Sequence, residues 1–252
     1  ESFVSTNSFD KEAQKKQSEL EQLLVGVNKL EIQSRSWIGK VADRIDAFVS
    51  LNPETRAHAF YLKESAEQSK YLMPEAEEML ASELALTGGN AWGKLHGTVT
   101  SQLTAEIELD GRVQKLPVTA IINLHSHPGE EVRRRAYETE NQVWEAAKEP
   151  LAAAMNGIKG EVNTLNRHRG RKDALHSSLD AARIDRPTLE AMLEAMRESF
   201  PMFRRYYHAK AKRFGQEALP WWNLFAPVGK TSTVYSFPEA REFVLTHFGE
   251  FS

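Results

Sequence analysis

The eight histidines are the first residues to test for chemistry. A zinc peptidase helix needs His-Glu-x-x-His, because both imidazoles must share one helical face and the glutamate must reach the metal-bound water. None of the eight stands in such a pair. His125-Ser126-His127 is the one close pair, and alternate residues of an extended segment could chelate a metal. No third ligand stands near it, so exposed or capping histidines are expected. Gly229-Lys230-Thr231 ends like a phosphate-binding loop, but Leu224 stands where that loop needs its first glycine. Gly88-Gly89 lacks the third spaced glycine of a dinucleotide fingerprint and reads as a left-handed helix cap. There is no Gly-x-Ser-x-Gly elbow and no cysteine, which removes thiolate catalysis, thiolate metal sites and disulfides together. No catalytic, cofactor-binding or metal residue is therefore assigned within the chain.

The remaining charged clusters have simpler readings. Arg133-Arg134-Arg135 lies on an expected helix, so its members spread around it rather than forming one patch. Arg167 to Lys172 is expected to be a solvated turn. Glu77-Glu78 and Glu130-Glu131 fall in first helical turns, where the helix dipole favours carboxylates. With 32 basic and 35 acidic residues, the chain does not lean basic as a dedicated nucleic-acid binder would. No apolar run is long enough to span a membrane, and no secretory signal or glycosylation acceptor is visible. Absence of cysteine fits a reducing compartment, and a cytoplasmic location is expected.

The elements that would position such residues are mostly helices. Asp10 caps a first helix to about Gln33, with Ala13, Leu20, Leu24 and Val27 as its stripe, and a second covers Trp37 to Val49. Pro53 and Pro74 open two more, the latter ending at Thr87-Gly88-Gly89. Asp110-Gly111 between alternating runs predicts a β-hairpin over about 99–116. From Pro128 a long apolar stripe runs through Val132, Ala136, Val143, Ala147, Leu151, Met155, Ile158, Val162 and Leu165. Gly157 and Gly160 would let another helix approach it, and Pro150 should kink it. Asp185 caps a second long helix with Leu189, Met192, Leu193, Met196, Phe200, Phe203, Tyr207, Ala211 and Phe214 as its stripe. Pro201 should bend this helix, and Gly215 ends it. The two stripes are expected to pack together, burying Phe203. Pro238 opens a last helix. The expected fold is mainly α: a multi-helix lobe with one hairpin, then long kinked antiparallel helices.

The order and spacing of several segments resemble oligoendopeptidase F and its relatives in the thimet oligopeptidase family of zinc metallopeptidases. The segments are Leu80 to Leu103 (LASELALTGGNAWGKLHGTVTSQL), the hairpin AEIELDGRVQKLP, the stretch EEVRRRAYETENQVWEAAKEPLAAAMNGIKGEVNTLNRHRG, the stretch ARIDRPTLEAMLEAMRESFPMFRRYYHAKAKRFG and the connector LPWWNLFAPVG. One departure is Asn223, where the family usually carries Asp before its Leu-aromatic-Ala-Pro run.

The resemblance implies that residues 1–127 form the N-terminal helical lobe and 128–252 the first helices of an incomplete catalytic domain. The chain would then be an interior piece, with the zinc motif and third ligand further toward the C-terminus. It would bind no zinc itself and be inactive alone, while shaping a channel for short peptides. Its partners would be those peptides and the remainder of the catalytic domain, not nucleic acid or membrane. Two other readings compete. One is a non-catalytic helical peptide-binding or scaffold protein on the same lobe, which a stop codon near Ser252 would favour. The other is an RNA-binding helical protein, which salt-dependent nucleic-acid retention would favour.

Overall fold

The computed structural model describes residues 3–4, 7–229 and 233–251. Lys230 and Thr231 of the rejected phosphate loop, and the terminal Glu1 and Ser252, lie outside them. The fold is mainly helical with one two-stranded antiparallel hairpin.

Helix α1 spans Lys11–Lys40, and Asp10 caps it by accepting from the Ala13 amide at 2.9 Å. It continues past the expected end at Gln33 because its last turn has a core to join. Ile38 packs with Ile45 and Val49 of α2 (Ile45–Val49) and with Leu62 and Ala66 further along the chain. Helix α3 (Pro53–Ala57) carries an Asn52–Thr55 capping box with Pro53 in its first turn. Helices α4 (Ala59–Ser69) and α5 (Glu75–Leu84) both lie against α1.

Helix α6 (Gly89–Gln102) replaces the expected left-handed cap and the first part of the expected strand. Neither Gly88 nor Gly89 has a positive φ. Trp92, Leu95 and Val99 are spaced three and four apart, and the helix they form runs along α8 (Glu130–His168). The hairpin is shorter than predicted: β1 is Thr104–Leu109 and β2 is Arg112–Pro117. Asp110 and Gly111 both have positive φ, as a primed two-residue turn requires. Ile107 points inward onto Ile121 of α7 (Val118–Asn123) and Ala136 of α8.

α8 continues through Pro150 without interruption. Its buried line runs Ala136, Val143, Ala147 and Ala154, while Met155 and Val162 of the expected stripe are exposed. Small residues line this face because α6 lies close: a β-carbon on Gly157 would sit 2.5 Å from the Trp92 ring. Gly160 has open space instead. After α9 (His176–Ala182), α10 (Arg186–Arg213) is capped by Asp185, continues through Pro201 and ends before Gly215 in the left-handed region. Ser236 caps α11 (Phe237–Gly249).

The expected packing of α8 against α10 is not formed. Only Lys210 and Ala211 of α10 are buried, and Phe203 is 48% exposed. The stripe is present, but over most of its length no other element of the described residues covers it.

Candidate functional surface

The end of α10 is held to the start of α8 by a buried polar junction. Arg133 is 2% exposed, and each of its three guanidinium nitrogens donates a hydrogen bond. Nη1 donates to the His127 and Pro128 carbonyls at 2.6 and 2.8 Å. Nε and Nη2 both donate to Asn223 Oδ1, at 3.1 and 2.7 Å, and Nε also reaches the Trp222 carbonyl. Asn223, itself fully buried, turns its amide nitrogen to Glu130 at 3.0 Å and to Gln216 at 3.1 Å. Burial pushes the Arg133 guanidinium below its usual range, and Glu130 opposes that. The Asn223 hydrogen bond, helped by Trp222, Gln216 and Arg133, holds Glu130 below the usual carboxylate range despite some desolvation. Lys210 donates to the Leu224 carbonyl at 2.7 Å, and burial, then Arg133, push its ammonium down. An aspartate at 223 could pair directly with Arg133. Here the neutral amide relays, and Glu130 supplies the negative charge.

The other sequence candidates sort into separate structural contacts. His125 Nε2 lies 3.0 Å from Glu140 Oε2, while His127 Nδ1 accepts from the Gly129 amide at 3.0 Å, so the two rings serve different partners. Arg134 pairs with Glu131 and Glu138, and Arg135 with Glu131, so the three arginines do spread around the helix. The stretch from Arg167 to Lys172 is not simply solvated. Arg169 clamps Glu78, which is 1% exposed, with bonds of 2.9 and 2.6 Å, and Met73 N adds a third. Arg171 pairs with Asp180 and Gln68 and lies 4.1 Å above the Tyr71 ring. Glu161 accepts from the Gly89 amide and so caps α6. No local pattern announces the Gly89–Glu161, Glu78–Arg169 and Gln68–Arg171 pairs, whose members lie 72 to 103 residues apart.

What remains open is apolar. Met192, Leu193, Met196, Phe200, Phe203, Tyr206 and Tyr207 are exposed along α10, as are Phe237, Phe243, Val244, Leu245 and Phe248 of α11. A groove of about 530 Å³ runs between α5 and α8 over Leu80, Leu84, Gly160 and Leu165. Faces of this extent mark surfaces that meet something else. Among the described residues no group of three histidine, aspartate or glutamate side chains converges as a metal site would require.

Comparisons with known proteins fit this architecture. Residues 41–104 match the family model described as Oligopeptidase F. A comparison with curated proteins gives no significant match. Among solved structures, oligoendopeptidase F from Enterococcus faecium superposes with a TM-score of 0.80 at 16% identity, over 90% of this chain and 46% of that one. A candidate oligoendopeptidase F from Bacillus anthracis strain Ames gives 0.66 at 13% identity, over 97% and 43%. A candidate peptidase from Chlamydophila abortus gives 0.62 at 16%, over 80% and 36%. At these identities the likeness shows the fold, and the chain spans less than half the length of each. The resemblance read from the sequence therefore holds: this is an oligoendopeptidase F-like fold, matched by the Oligopeptidase F family model over 41–104.

Proposed function

We propose that this chain is part of a zinc-dependent oligoendopeptidase that hydrolyses peptide bonds in short peptides. The observation that carries the reading is the shared fold over nine-tenths of the chain with oligoendopeptidase F. Residues 1–127 act as the N-terminal helical lobe, and 128–252 as the first helices of the catalytic domain. Zinc is held by residues outside this chain, and the chemistry it supplies is activation of water and polarisation of the scissile carbonyl. The open faces of α10 and α11 meet the remainder of the catalytic domain, and the helical lobe walls the channel that admits peptides. The Arg133–Asn223–Glu130 junction fixes the angle at which α10 leaves α8 and so presents its apolar face. Alone, the chain is inactive, and the working enzyme is cytoplasmic.

The test is a panel of quenched fluorescent oligopeptides, assayed with the native protein and with the 252-residue chain, with added zinc and with chelator. Chelator-sensitive cleavage by the native protein alone is expected. A native protein that cleaves none of them sinks the reading and promotes a binding or scaffold role.

A further inference from the structure

One cavity is lined by charge instead. It holds about 230 Å³ and lies where α1, α4, α5 and the turn after α8 meet. That is room for a small solute, since one water takes roughly 30 Å³ in the liquid. Three guanidiniums line it, Arg35 from α1 and Arg169 and Arg171 from the turn. Asn28, Glu31 and Arg35 are spaced three and four apart, so one face of α1 carries all three. Each arginine has donors left over after its protein partners are met. Arg169 gives Nε and Nη2 to Glu78, and its Nη1 has no acceptor among the described residues. Arg35 gives Nη2 to Glu31 and keeps Nε and Nη1. Arg171 gives Nη1 to Asp180 and Nη2 to Gln68, and its Nε is buried without a partner. The Asn28 amide and the Ser82 hydroxyl also line the cavity, and neither bonds another described residue.

A guanidinium has only donors, so the surplus here calls for an acceptor-rich ligand. The charge selects its kind. The lining sets Arg35, Arg169 and Arg171 against Glu31 and Glu78, three positive charges against two negative, a net of +1. One negative charge balances that, whereas a doubly charged phosphate would leave an excess beside Glu31 and Glu78. Asp180 engages Arg171 from outside the lining, and counting it makes the surroundings neutral, which disfavours a dianion further. A carboxylate carries its single charge on two coplanar oxygens, the shape that a guanidinium fork matches. Its remaining acceptor sites suit the Ser82 hydroxyl and the Asn28 amide.

We propose that this cavity binds a small monocarboxylate, a free organic acid or the terminal carboxylate of a very short peptide, held between Arg35 and Arg169. The ligand then joins α1 to the turn after α8, and its binding stabilises the folded lobe. Every lining residue belongs to this chain, so the inference rests neither on the peptidase reading nor on what meets the faces of α10 and α11. The test is fluorine NMR on the native protein, with trifluoroacetate as the probe and trifluoroacetamide as its uncharged counterpart. The trifluoroacetate signal should broaden and the trifluoroacetamide signal should not. Arg35→Gln should weaken trifluoroacetate binding at least about tenfold, with circular dichroism to confirm an unchanged fold. Arg134→Gln, which removes the same charge from a surface ion pair on α8, should leave binding unchanged. Acetate and alanylalanine should both displace the probe, and the one that does so at lower concentration shows which source of carboxylate the cavity prefers. An unbroadened signal, broadening that survives Arg35→Gln, equal loss with Arg134→Gln, or displacement by inorganic phosphate at lower concentration than either carboxylate would each overturn the proposal.

Discussion

Arg133 holds together backbone that the sequence separates by ninety positions, and its removal leaves three carbonyls and a buried amide oxygen without donors. Arg133→Ala should therefore cost about 3–5 kcal/mol, as for breaking a buried charged contact, measured by urea unfolding. Glu78 gives a pH signature. Burial alone would raise its pKa, but the Arg169 hydrogen bond, the Met73 amide, and the charges of Arg169 and Arg35 together hold it below the usual range. Its stabilisation is thus full above the unfolded carboxylate value, roughly 4.3, and is lost as pH falls through the lower folded value. Glu78→Gln should destabilise the chain by about 2–4 kcal/mol at neutral pH, and the gap to the parent chain should close in acid. A gap that is constant across that range would show that the ion pair contributes nothing beyond packing. Of these residues, the sequence marked Arg133 and Glu78 only as members of charged clusters. Their partners were not legible, because nothing local encodes a contact across ninety residues.

At the scale of elements, the capping residues did most to make the helices readable. Asp10, Asn52 and Asp185 each accept from the amide three residues on, and Asp110-Gly111 forms the turn its residue types demand. Helix α6 was misread because its β-branched end, Thr98 to Thr100, imitates a strand, while its packing partner lies on α8. The two glycines of α8 test that packing. Gly157→Ala places a β-carbon against Trp92 and should cost about 1–3 kcal/mol by overpacking. Gly160→Ala meets open space and should stabilise by up to about 1 kcal/mol through helix propensity. If thermal unfolding showed both substitutions stabilising, α6 would not lie against α8 as described.

For the whole molecule, the governing fact is that α10 has an apolar stripe and, among the described residues, no element over most of it. Phe203→Ala in the 252-residue chain should change stability by no more than about 0.5 kcal/mol, as at an exposed site. In the native protein, if the remainder of the catalytic domain covers that stripe, the same change should cost about 3–5 kcal/mol. Equal small effects in both would argue that the α10 face stays open and that the proposed assembly is wrong. The sequence by itself determined what local chemistry can: helix starts, the hairpin turn and the period of each apolar stripe. It also carried enough segment order to resemble oligoendopeptidase F. Only the tertiary structure decided which stripes are buried, that Arg169 and Arg171 are ion-paired, and that Asn223 relays between Arg133 and Glu130. The physical reason is that a stripe's period follows from bonded geometry within one helix, whereas its burial depends on whether another surface lies opposite, and over most of α10 no element of the described residues does.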